Sequence, residues 1–392
     1  MNSRRAAAFA VARWIATHGH IGDLLPDGPD RAFVQDLAYV TVRRFRALRA
    51  VLGKLVPKWP KGEMEALLLV GAAQVLYMPD VPDFAAVNET VAAAKSCPNK
   101  SIAKVVNGVL RNLIRRREEF EAYLRSAPLA ERESFPNGLV KRWIARYGDA
   151  DAERLCKWHN EPAETWLAYR MGAESDGKCD GGWRKLERGR KVTEVEGYAE
   201  GAFIVQDPAT AAAVELLDVK PGQSALDFCA APGGKTIQIA WRMGKGELVA
   251  QEVNPSRRRR LEENLKRVGL DWVKVTGAVD GGTFERVLVD APCSNTGVLR
   301  RRPDARWRWS QEHLEELAAL QAEILAKAAE RVAPGGVLVY STCSNEPEEN
   351  GAQIEAFLAA HGDFAEIGRR ESEPFATGHD GAFACAMRRV EA

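Results

Sequence analysis

The chain of 392 residues lacks any apolar run long enough to cross a bilayer. Its longest apolar segments, such as Ala66 to Met78, contain glycine or polar residues and fall short of the roughly 20 residues that a spanning helix needs. The amino terminus is not typical of a secretory signal, because Arg13, Trp14 and His18 interrupt its apolar stretch and no small-residue cleavage site follows. We therefore expect no membrane segment and an amphipathic first helix.

Paired cysteines are also lacking. The seven cysteines are scattered singly, with no CxxC pair and no metal-ligand spacing to the six histidines. This distribution argues against a disulfide framework and is typical of free thiols in a reducing cytoplasm. We expect a cytoplasmic protein without a bound metal. The cysteines are Cys97, Cys156, Cys179, Cys229, Cys293, Cys343 and Cys385.

A strong net charge is lacking too, since 55 Lys and Arg against 54 Asp and Glu leave a formal charge of +1. Basic residues are instead grouped in four short segments, the last of which is interleaved with Trp307 and Trp309. Arg and Lys contact phosphates and aromatic rings stack on unpaired bases, so the clusters indicate a nucleic-acid surface. The segments are TVRRFRALR (41 to 49), RNLIRRR (111 to 117), RRRR (257 to 260) and LRRRPDARWRW (299 to 309).

The periodicity of apolar residues divides the chain into three parts. Residues 1 to 125 have helical spacing, which predicts an all-helical domain. Residues 126 to 200 have weak periodicity and a segment rich in glycine and charge at 171 to 192, which predicts a connecting subdomain with a mobile loop. Residues 201 to 392 alternate short apolar runs with helical patterns, which predicts an α/β domain with a mainly parallel sheet. Its predicted strands are 224 to 230, 247 to 253, 273 to 277, 286 to 292 and 336 to 342, and its predicted helices are 234 to 243, 255 to 268, 310 to 333 and 347 to 360.

Two predicted strands end in cysteine motifs of similar design. VLVDAPCSNTG (287 to 297) places Asp290 and Cys293 after an apolar strand, and STCSNEPEEN (341 to 350) places Cys343 after another. In parallel sheets of this kind, ligands bind beyond the carboxyl ends of the strands. Free cysteine is often a buried apolar residue, but this position predicts that both thiols line a ligand crevice.

The loop after the first strand, within ALDFCAAPGGKTIQIA (225 to 240), has the strand, small-residue turn and helix start of a nucleotide-type site. A P-loop would need a glycine where Cys229 stands, and a dinucleotide fingerprint would need three spaced glycines, whereas Gly233 and Gly234 are adjacent. S-adenosylmethionine has no phosphates to cradle, so the loop favours this cofactor. Glu252, at the end of the second strand, is then placed to accept hydrogen bonds from the ribose hydroxyls.

Three longer motifs carry a resemblance to a known family: DFCAAPGGKT, VDAPCSNTGVLRRRPDARW and YSTCSNEPEENGAQIEAFL. The chain resembles the RNA cytosine-5 methyltransferases of the Sun (Fmu, or Nol/Nop/Sun) group, in particular its bacterial ribosomal RNA branch. The resemblance covers nearly the whole chain, because VPDFAAVNETVAAAK and NGVLRNLIRR are similar to the NusB-like RNA-binding domain of such enzymes. It implies an α/β, Rossmann-like S-adenosylmethionine-dependent methyltransferase domain preceded by an all-α NusB-like domain.

Methylation of cytosine at carbon 5 would use two strand-end cysteines. Carbon 5 becomes nucleophilic only after a thiolate adds to carbon 6, and a nearby cation favours the thiolate. A second group must then help to remove the carbon 5 proton and expel the sulfur. Spacing alone leaves open which cysteine attacks. The resemblance implies Cys343 as nucleophile, Cys293 in product release, Lys235 as the cation and Asp290 as hydrogen-bond donor to the N3 and N4 edge of cytosine.

The resemblance also implies the substrate and the cofactor-binding residues. We expect a monomeric enzyme that acts on RNA, in particular small-subunit (16S) ribosomal RNA, and not on DNA, with LRRRPDARWRW lining the substrate groove. Two alternative functions fit the sequence less well. A non-catalytic RNA-binding factor would not need both cysteines. An RNA-remodelling P-loop ATPase would need a glycine at the position of Cys229. The expected cofactor-binding residues are Cys229, Ala230, Ala231, Pro232, Gly233, Gly234, Lys235, Glu252 (where the family usually has aspartate), Asp280 and Asp290.

Overall fold

A computed structural model describes residues 2–99, 101–170 and 182–390 of the protein. The described helices include none that is both long enough and apolar enough to cross a membrane.

The chain folds into two compact units. The first comprises Met1–Glu161 and Leu299–Ser310, and the second comprises Pro162–Val298 and Gln311–Ala392. The twelve-residue segment 299–310 therefore belongs to the first unit, although the cysteine motif that precedes it in the sequence belongs to the second.

Helices build the first unit around one apolar core, as the helical periodicity of residues 1 to 125 predicts. Its helices are α1 (Ser3–Thr17), α2 (Arg31–Arg43), α3 (Phe45–Gly53), α4 (Glu63–Tyr77), α5 (Asp83–Lys95), α6 (Ser101–Arg115), α7 (Arg117–Ser126), α8 (Leu129–Arg132) and α9 (Asn137–Asn160). Helix α4 is central, because every residue from Glu65 to Val75 is buried. Helix α9 is interrupted at Gly148, whose φ of 79° is not helical and favours glycine.

The first unit extends past the predicted end of the helical domain at 125. The turn between α8 and α9 is attached to α3 by hydrogen bonds: Ser134 Oγ accepts from the backbone N–H of Arg46 at 2.9 Å, and the backbone oxygen of Phe135 accepts from the Arg46 side chain at 2.8 Å. Apolar residues of α9 are buried here as well, among them Leu139, Trp143 and Leu155, and the break of the helix at Gly148 interrupts their helical spacing.

The segment 299–310 packs into the first unit, so the expectation that LRRRPDARWRW lines a substrate groove is wrong for its central residues. Arg306 is fully buried and donates to the backbone oxygen of Ser134 at 3.2 Å and to Asn160 Oδ1 at 2.9 Å. Trp307 packs against the apolar core. A guanidinium group can donate hydrogen bonds to several buried carbonyl oxygens at once. An arginine cluster can therefore stabilise a protein interior as well as form a nucleic-acid-binding surface.

The second unit begins with a small antiparallel sheet, two strands of which lie in the segment predicted as a connecting subdomain and the third just after it, at the start of the predicted α/β domain. Its strands, in the order β2-β1-β3, are β1 (Trp166–Tyr169), β2 (Trp183–Lys185) and β3 (Phe203–Val205). Sequence reasoning missed them because each has only three or four residues. Residues 171–181, which include Cys179 and much of the predicted mobile loop, lie outside the described residues.

A seven-stranded sheet forms the centre of the second unit. Its strands are β4 (Ser224–Asp227), β5 (Glu247–Gln251), β6 (Lys274–Thr276), β7 (Phe284–Asp290), β8 (Val332–Thr342), β9 (Phe364–Ser372) and β10 (Ala382–Arg389). The order is β6-β5-β4-β7-β8-β10-β9, and the first five strands in this order are parallel, which confirms the predicted sheet. Strands β10 and β9 add an antiparallel edge that was not predicted. Strand β9 is mostly exposed and charged, so it lacks an apolar pattern.

Helices cover both faces of this sheet. They are α10 (Ala211–Leu217), α11 (Gly234–Met243), α12 (Pro255–Arg267), α13 (Gln311–Ala329), α14 (Gly351–Ala360) and α15 (Pro374–Thr377). Successive residues of β8 enter different cores: Val337 and Val339 belong to one, Leu338 and Tyr340 to the other. A strand that is buried on both faces has a continuous run of apolar residues, so these strands could be predicted well from the sequence.

Candidate active site

The two cysteine motifs meet because β7 and β8 are neighbouring parallel strands. Asp290, the last residue of β7, lies opposite Ser341 on β8, and Ser341 Oγ donates a hydrogen bond to Asp290 Oδ1 at 2.9 Å. Cys293 and Cys343 follow these two residues in the chain. Both motifs therefore lie at the carboxyl edge of the sheet, as the sequence predicts.

The sulfur atoms of Cys293 and Cys343 are 3.2 Å apart. Asn295 holds the pair from one side: Cys343 Sγ donates to its Oδ1 at 3.4 Å, and its Nδ2 donates to the backbone oxygen of Cys293 at 2.7 Å. The hydrogen bond with Cys343, together with burial, raises the pKa of Cys293 well above the usual range of a thiol. The Cys343 sulfhydryl is directed at Asn295 Oδ1, so Cys293 is the donor within the sulfur pair.

Lys235 and Asp290 form an ion pair beside the cysteines, with Lys235 Nζ 2.6 Å from Asp290 Oδ2. Burial by itself would lower the pKa of Lys235, but the charge of Asp290, its hydrogen bond and a charge on Cys343 raise it. Lys235 is therefore an ammonium ion, and it interacts electrostatically with Cys343. The four predicted catalytic residues lie together at one edge of the sheet.

Backbone and hydroxyl groups tie the two cysteine loops to each other. The N–H of Gly297 donates to the backbone oxygen of Cys343 at 3.0 Å, and the N–H of Asn345 donates to Thr296 Oγ1 at 3.0 Å. A side chain at Gly297 would lie 2.8 Å from that same Cys343 oxygen, so glycine permits the close approach. The spacing between the two sulfurs is thus set by contacts between loops that are 50 residues apart in sequence.

Asp227 ends β4 and enters the candidate cofactor loop. It is buried, and Thr236 Oγ1 on α11 donates to its Oδ2 at 2.6 Å. Burial raises the pKa of Asp227 to about 7. Its other oxygen, Oδ1, has no hydrogen-bond partner among the described residues. A buried acceptor of this kind can receive a hydrogen bond from a ligand.

Close packing shapes the loop between β4 and α11. Gly233 has φ 108°, and a side chain there would lie 2.8 Å from Leu261 Cδ1 on α12. Helix α12 also holds the preceding carbonyl groups, because Arg257 donates to the oxygen of Ala231 at 3.0 Å and Asn264 donates to that of Pro232 at 2.8 Å.

Other residues of this loop have mainly structural contacts. Ala230 donates its backbone N–H to the oxygen of Gln251 on β5 at 2.9 Å, and Gly234 lies against the side chain of Gln206. Burial raises the pKa of Cys229 to about 12, so its thiol stays protonated at neutral pH. Gln206 Oε1 is buried without a hydrogen-bond partner in the described ranges.

The structure places the two predicted acids of the cofactor site differently. Glu252 is only 3% exposed, accepts from the backbone N–H of Asn254 at 2.9 Å and lies 3.5 Å from Arg257 Nε. Asp280 is exposed and makes no hydrogen bond or ion pair with the described residues, although the adjacent Val279 donates its N–H to Gln251 Oε1 at 2.9 Å. Asp280 as a cofactor contact remains a prediction.

Sequence reasoning missed several residues of this site. The sequence does contain a signal for Asp227, which is the single acid in the apolar run SALDFCA. Burial of a carboxylate without a hydrogen-bond partner is unfavourable, so an acid in a buried strand indicates a function. Glu349, which is fully buried, was indistinguishable from its neighbours in a run of acids. No local pattern distinguishes Asn295 or Gln206, because their contacts are made with residues far away in the chain.

This fold and strand-edge site are those of a Rossmann-like methyltransferase, and comparisons with known proteins agree. The family model described as 16S rRNA methyltransferase RsmB/F matches residues 214–385, and that of the NusB family matches residues 1–115. Ribosomal RNA small subunit methyltransferase B of Serratia proteamaculans (strain 568) is 34% identical over 397 residues, which cover 92% of this chain and 91% of its own. The chain therefore belongs to the RsmB/F family of methyltransferases.

Solved structures share the fold. The crystal structure of the protein PH0851 covers 99% of this chain and 98% of its own, with a TM-score of 0.80 and 22% identity. That of a methyltransferase homologue from Pyrococcus horikoshii covers 67% of this chain and 98% of its own, with a TM-score of 0.58 and 23% identity. At these identities, the likeness supports the architecture alone.

S-adenosylmethionine is the cofactor of this class of methyltransferase, and the described residues fit it. The loop after β4 allows close backbone approach at Gly233 and Gly234. Two buried acceptors beside it, Asp227 Oδ1 and Gln206 Oε1, have no partner among the described residues and suit the donor groups of this cofactor. No group of three or more His, Cys, Asp or Glu residues suitable for a metal ion occurs in the described ranges.

Proposed function

We propose that the protein is an RNA cytosine-5 methyltransferase that acts on small-subunit ribosomal RNA. The observation that carries the proposal is the pair of cysteine sulfurs 3.2 Å apart beside the Lys235–Asp290 ion pair. Two thiols at the sheet edge suit a reaction that first forms a carbon–sulfur bond and later breaks it with help from another group. Methylation at a nitrogen or oxygen atom needs no such nucleophile.

Cys343 is the nucleophile in this proposal. It interacts with the Lys235 ammonium and can accept a hydrogen bond from Cys293, and both contacts favour a thiolate. Its sulfur donates an electron pair to cytosine carbon 6 and forms the carbon–sulfur bond. The electron pair of the double bond between carbons 5 and 6 moves to carbon 5, where it is conjugated with N3.

Asp290 and Lys235 hold the polar edge of the base. Because Asp290 is paired with Lys235, we infer that it acts as a carboxylate that accepts a hydrogen bond from the cytosine amino group. The resemblance suggested a donor role, which would need a protonated Asp290. Lys235 supplies a cation beside Asp290 for the negative charge that develops at N3.

When bound, S-adenosylmethionine would supply the electrophilic methyl group for carbon 5 and would leave as S-adenosylhomocysteine. The loop from Cys229 to Lys235 would hold this cofactor, Glu252 would bind its ribose hydroxyls, and Asp280 would lie on its adenine side. Arg257 and Asn264 keep the loop in position through their bonds to its carbonyl groups.

Cys293 completes the reaction. Its sulfur lies 3.2 Å from that of Cys343 and its pKa is raised, so it can give its proton to the departing Cys343 sulfur. The resulting Cys293 thiolate takes the proton from carbon 5, whose electron pair restores the double bond as the carbon–sulfur bond breaks. Both cysteines end as thiols, and Cys343 loses its proton again before the next cycle.

Ribosomal RNA is proposed as the substrate from two lines of support. The relatives that cover nearly the whole chain are named for small-subunit ribosomal RNA. Residues 1–115 match the NusB family, and the resemblance described above implies that this domain binds RNA. Bisulfite sequencing of total RNA from cells with and without the protein tests the substrate. A lost 5-methylcytosine in small-subunit RNA supports it, and an unchanged small-subunit RNA contradicts it.

Substitution of each cysteine tests the chemistry. We expect Cys343→Ala to lose at least about a thousandfold in rate, as for removal of a nucleophile, and to form no covalent RNA adduct. Cys293→Ala should be slow but should accumulate a covalent adduct that migrates slowly in a denaturing gel. Cys97→Ala, at a buried cysteine of the first unit, is the control. An adduct in Cys343→Ala and none in Cys293→Ala would reverse the two roles.

A further inference from the structure

The two sulfurs at the sheet edge are close enough to form a covalent bond after a small movement. The Sγ atoms of Cys293 and Cys343 are 3.2 Å apart. A disulfide bond is about 2.05 Å long, so the two atoms have to approach each other by only roughly 1.2 Å. The strands that lead to the cysteines, β7 and β8, are hydrogen-bonded neighbours. Rotation of the two side chains can therefore bring the sulfurs together while the strands keep their pairing.

Contacts between the two loops keep the sulfurs at this short distance. The N–H of Gly297 donates to the backbone oxygen of Cys343 at 3.0 Å. The fully buried Glu349 accepts from the backbone N–H of Ser294 at 2.8 Å and from the hydroxyl of Ser344, and these two serines directly follow the two cysteines. Two thiols held in this way react with each other as if each were present at a very high concentration.

A small reagent can reach both thiols. Cys293 and Cys343 are each partly exposed, although Ser294 and Ser344 beside them are buried. Exposure is one of the properties that make a cysteine susceptible to oxidation. Three other cysteines are buried, namely Cys97, Cys156 and Cys385.

We propose that a peroxide converts Cys293 and Cys343 into a reversible disulfide and that this bond switches the enzyme off. One sulfur attacks an oxygen atom of hydrogen peroxide, the oxygen–oxygen bond breaks, and a sulfenic acid and water form. The second sulfur then attacks the first, and the sulfur–oxygen bond breaks as the sulfur–sulfur bond forms. The oxygen leaves as a second water molecule. Two electrons pass from the sulfurs to the peroxide, and both thiol protons end in water.

The disulfide would inactivate the enzyme and protect it at the same time. It removes both thiols that the proposed function assigns to the chemistry, and for this consequence the inference rests on that function. A sulfenic acid without a neighbouring thiol is oxidised further to a sulfinic acid, which thiol reductants do not reverse. A dithiol, by contrast, reduces the disulfide, becomes oxidised itself and returns both cysteines as thiols.

Peroxide treatment of the full chain tests the bond without RNA or cofactor. Reduced protein is exposed to hydrogen peroxide, the reaction is stopped with catalase, and free thiols are alkylated before digestion and peptide mass spectrometry. In the folded wild type we expect a cross-linked peptide that joins Cys293 and Cys343, formed at least about tenfold faster than in the same chain unfolded in urea. Dithiothreitol should return both thiols. No such peptide, or an equal rate in urea, would overturn the proposal.

Substitution of one cysteine tests the protection of the other. In Cys293→Ala, we expect peroxide to convert Cys343 to a sulfinic acid that dithiothreitol does not reduce. Cys97→Ala, at a buried cysteine of the first unit, should form the disulfide as the wild type does. Full recovery of the Cys343 thiol in Cys293→Ala would show that its partner gives no protection.

A pair of glycine variants tests whether the loop contact sets the reaction. The Cβ added in Gly297→Ala would lie 2.8 Å from the backbone oxygen of Cys343, so the loops must move apart, and disulfide formation should slow about tenfold. Gly362→Ala is the control, because no atom lies within 4 Å of its added Cβ. An unchanged rate in folded Gly297→Ala would contradict the role of the loop contact.

Methylation assays on RNA test the switch itself. The oxidised wild type should lose at least about tenfold in rate and regain it after treatment with dithiothreitol. Full methylation by the disulfide form would overturn the switch. If the reduced enzyme methylated no RNA while the disulfide still formed as described, the proposed function would be refuted and the redox reaction would stand.

Discussion

Individual side chains at the strand ends derive their chemistry from their neighbours. Cys293 and Cys343 are the same residue type at equivalent ends of adjacent strands, but their surroundings differ. The hydrogen bond with Cys343 and burial raise the pKa of Cys293, whereas Cys343 donates to Asn295 Oδ1 and interacts electrostatically with the Lys235 ammonium. Cys229 is buried with acids around it and stays a thiol. Identity of residue type therefore does not imply identity of role.

Asp227 gives a pH-dependent stability that can be predicted with its sign. Burial raises its pKa from 3.8 to about 7, so the folded state binds the proton more tightly than the unfolded chain. This contribution to stability is complete below the unfolded pKa and is lost as the pH rises through about 7. Relative to Asp227→Asn, which keeps an acceptor for Thr236, the wild type should lose roughly 3 kcal/mol of unfolding free energy between about pH 4 and pH 8.

Urea unfolding of both proteins across this pH range, without cofactor, measures the difference. Asp271→Asn, at an exposed aspartate, should follow the wild type and serves as the control. Parallel stability curves for the wild type and Asp227→Asn would show that Asp227 titrates alike in the folded and unfolded states.

At the scale of elements, the cofactor loop depends on the helix behind it. Helix α12 contacts the loop through Leu261 and donates hydrogen bonds to it from Arg257 and Asn264. The basic run 257 to 260 therefore includes at least one arginine with a structural contact, although its residues are mostly exposed. A loop without regular hydrogen bonding of its own takes its shape from such neighbours.

Gly233→Ala tests the closeness of this packing. The residue has a positive φ of 108°, and the added Cβ would lie 2.8 Å from Leu261 Cδ1. Gly269→Ala is a matched control, because Gly269 also has a positive φ, of 70°, but no atom lies within 4 Å of the added Cβ. Both should lose about 1 kcal/mol from backbone strain, but Gly233→Ala should lose a further ~1 to 2 kcal/mol and about tenfold in cofactor affinity.

Thermal unfolding and calorimetric titration with S-adenosylmethionine distinguish the two glycines. If Gly269→Ala weakened cofactor binding as much as Gly233→Ala, the effect would arise from general strain and not from the loop.

At the scale of the whole chain, the order of segments in the sequence differs from their grouping into the two units. The segment 299–310 lies between two strands of the second unit in sequence, yet it packs in the core of the first. Arg306 is its anchor, with contacts to the turn before α9 and to the end of that helix. The helical unit is therefore complete only when the chain has been made past residue 310.

Arg306→Met should loosen the first unit. The substitution removes hydrogen bonds to buried acceptors such as Ser134 O and Asn160 Oδ1, and we expect a loss of about 3 kcal/mol of local stability. Hydrogen exchange should rise in α3 and at both ends of α9 and stay unchanged in β7 and β8. Arg111→Met, at an exposed arginine of α6, is the control. Wild-type exchange rates in Arg306→Met would show that the segment is not an anchor.

Structural features that depend on local sequence patterns were predicted from the sequence, whereas features that depend on contacts between distant segments were not. The parallel strands and helix α11 were predicted closely, because apolar runs and a glycine-rich helix start are local patterns. The hairpin of β9 and β10 and the small sheet were missed because charged edges and three-residue strands lack such patterns. The RNA-surface interpretation failed at Arg306, since composition cannot distinguish a buried guanidinium from an exposed one.

The amino-acid sequence by itself determined which residues are candidates for the proposed chemistry, because strand-end position and motif are properties of consecutive residues. It placed Cys293, Cys343 and Asp290 at the carboxyl edge of a parallel sheet and Lys235 at the start of the adjoining helix. Only the tertiary structure decided that the two sulfurs lie 3.2 Å apart, that Glu349 links their loops and that residues 299–310 complete the helical unit. These features depend on distances between segments far apart in the chain, and folding of the whole molecule sets those distances.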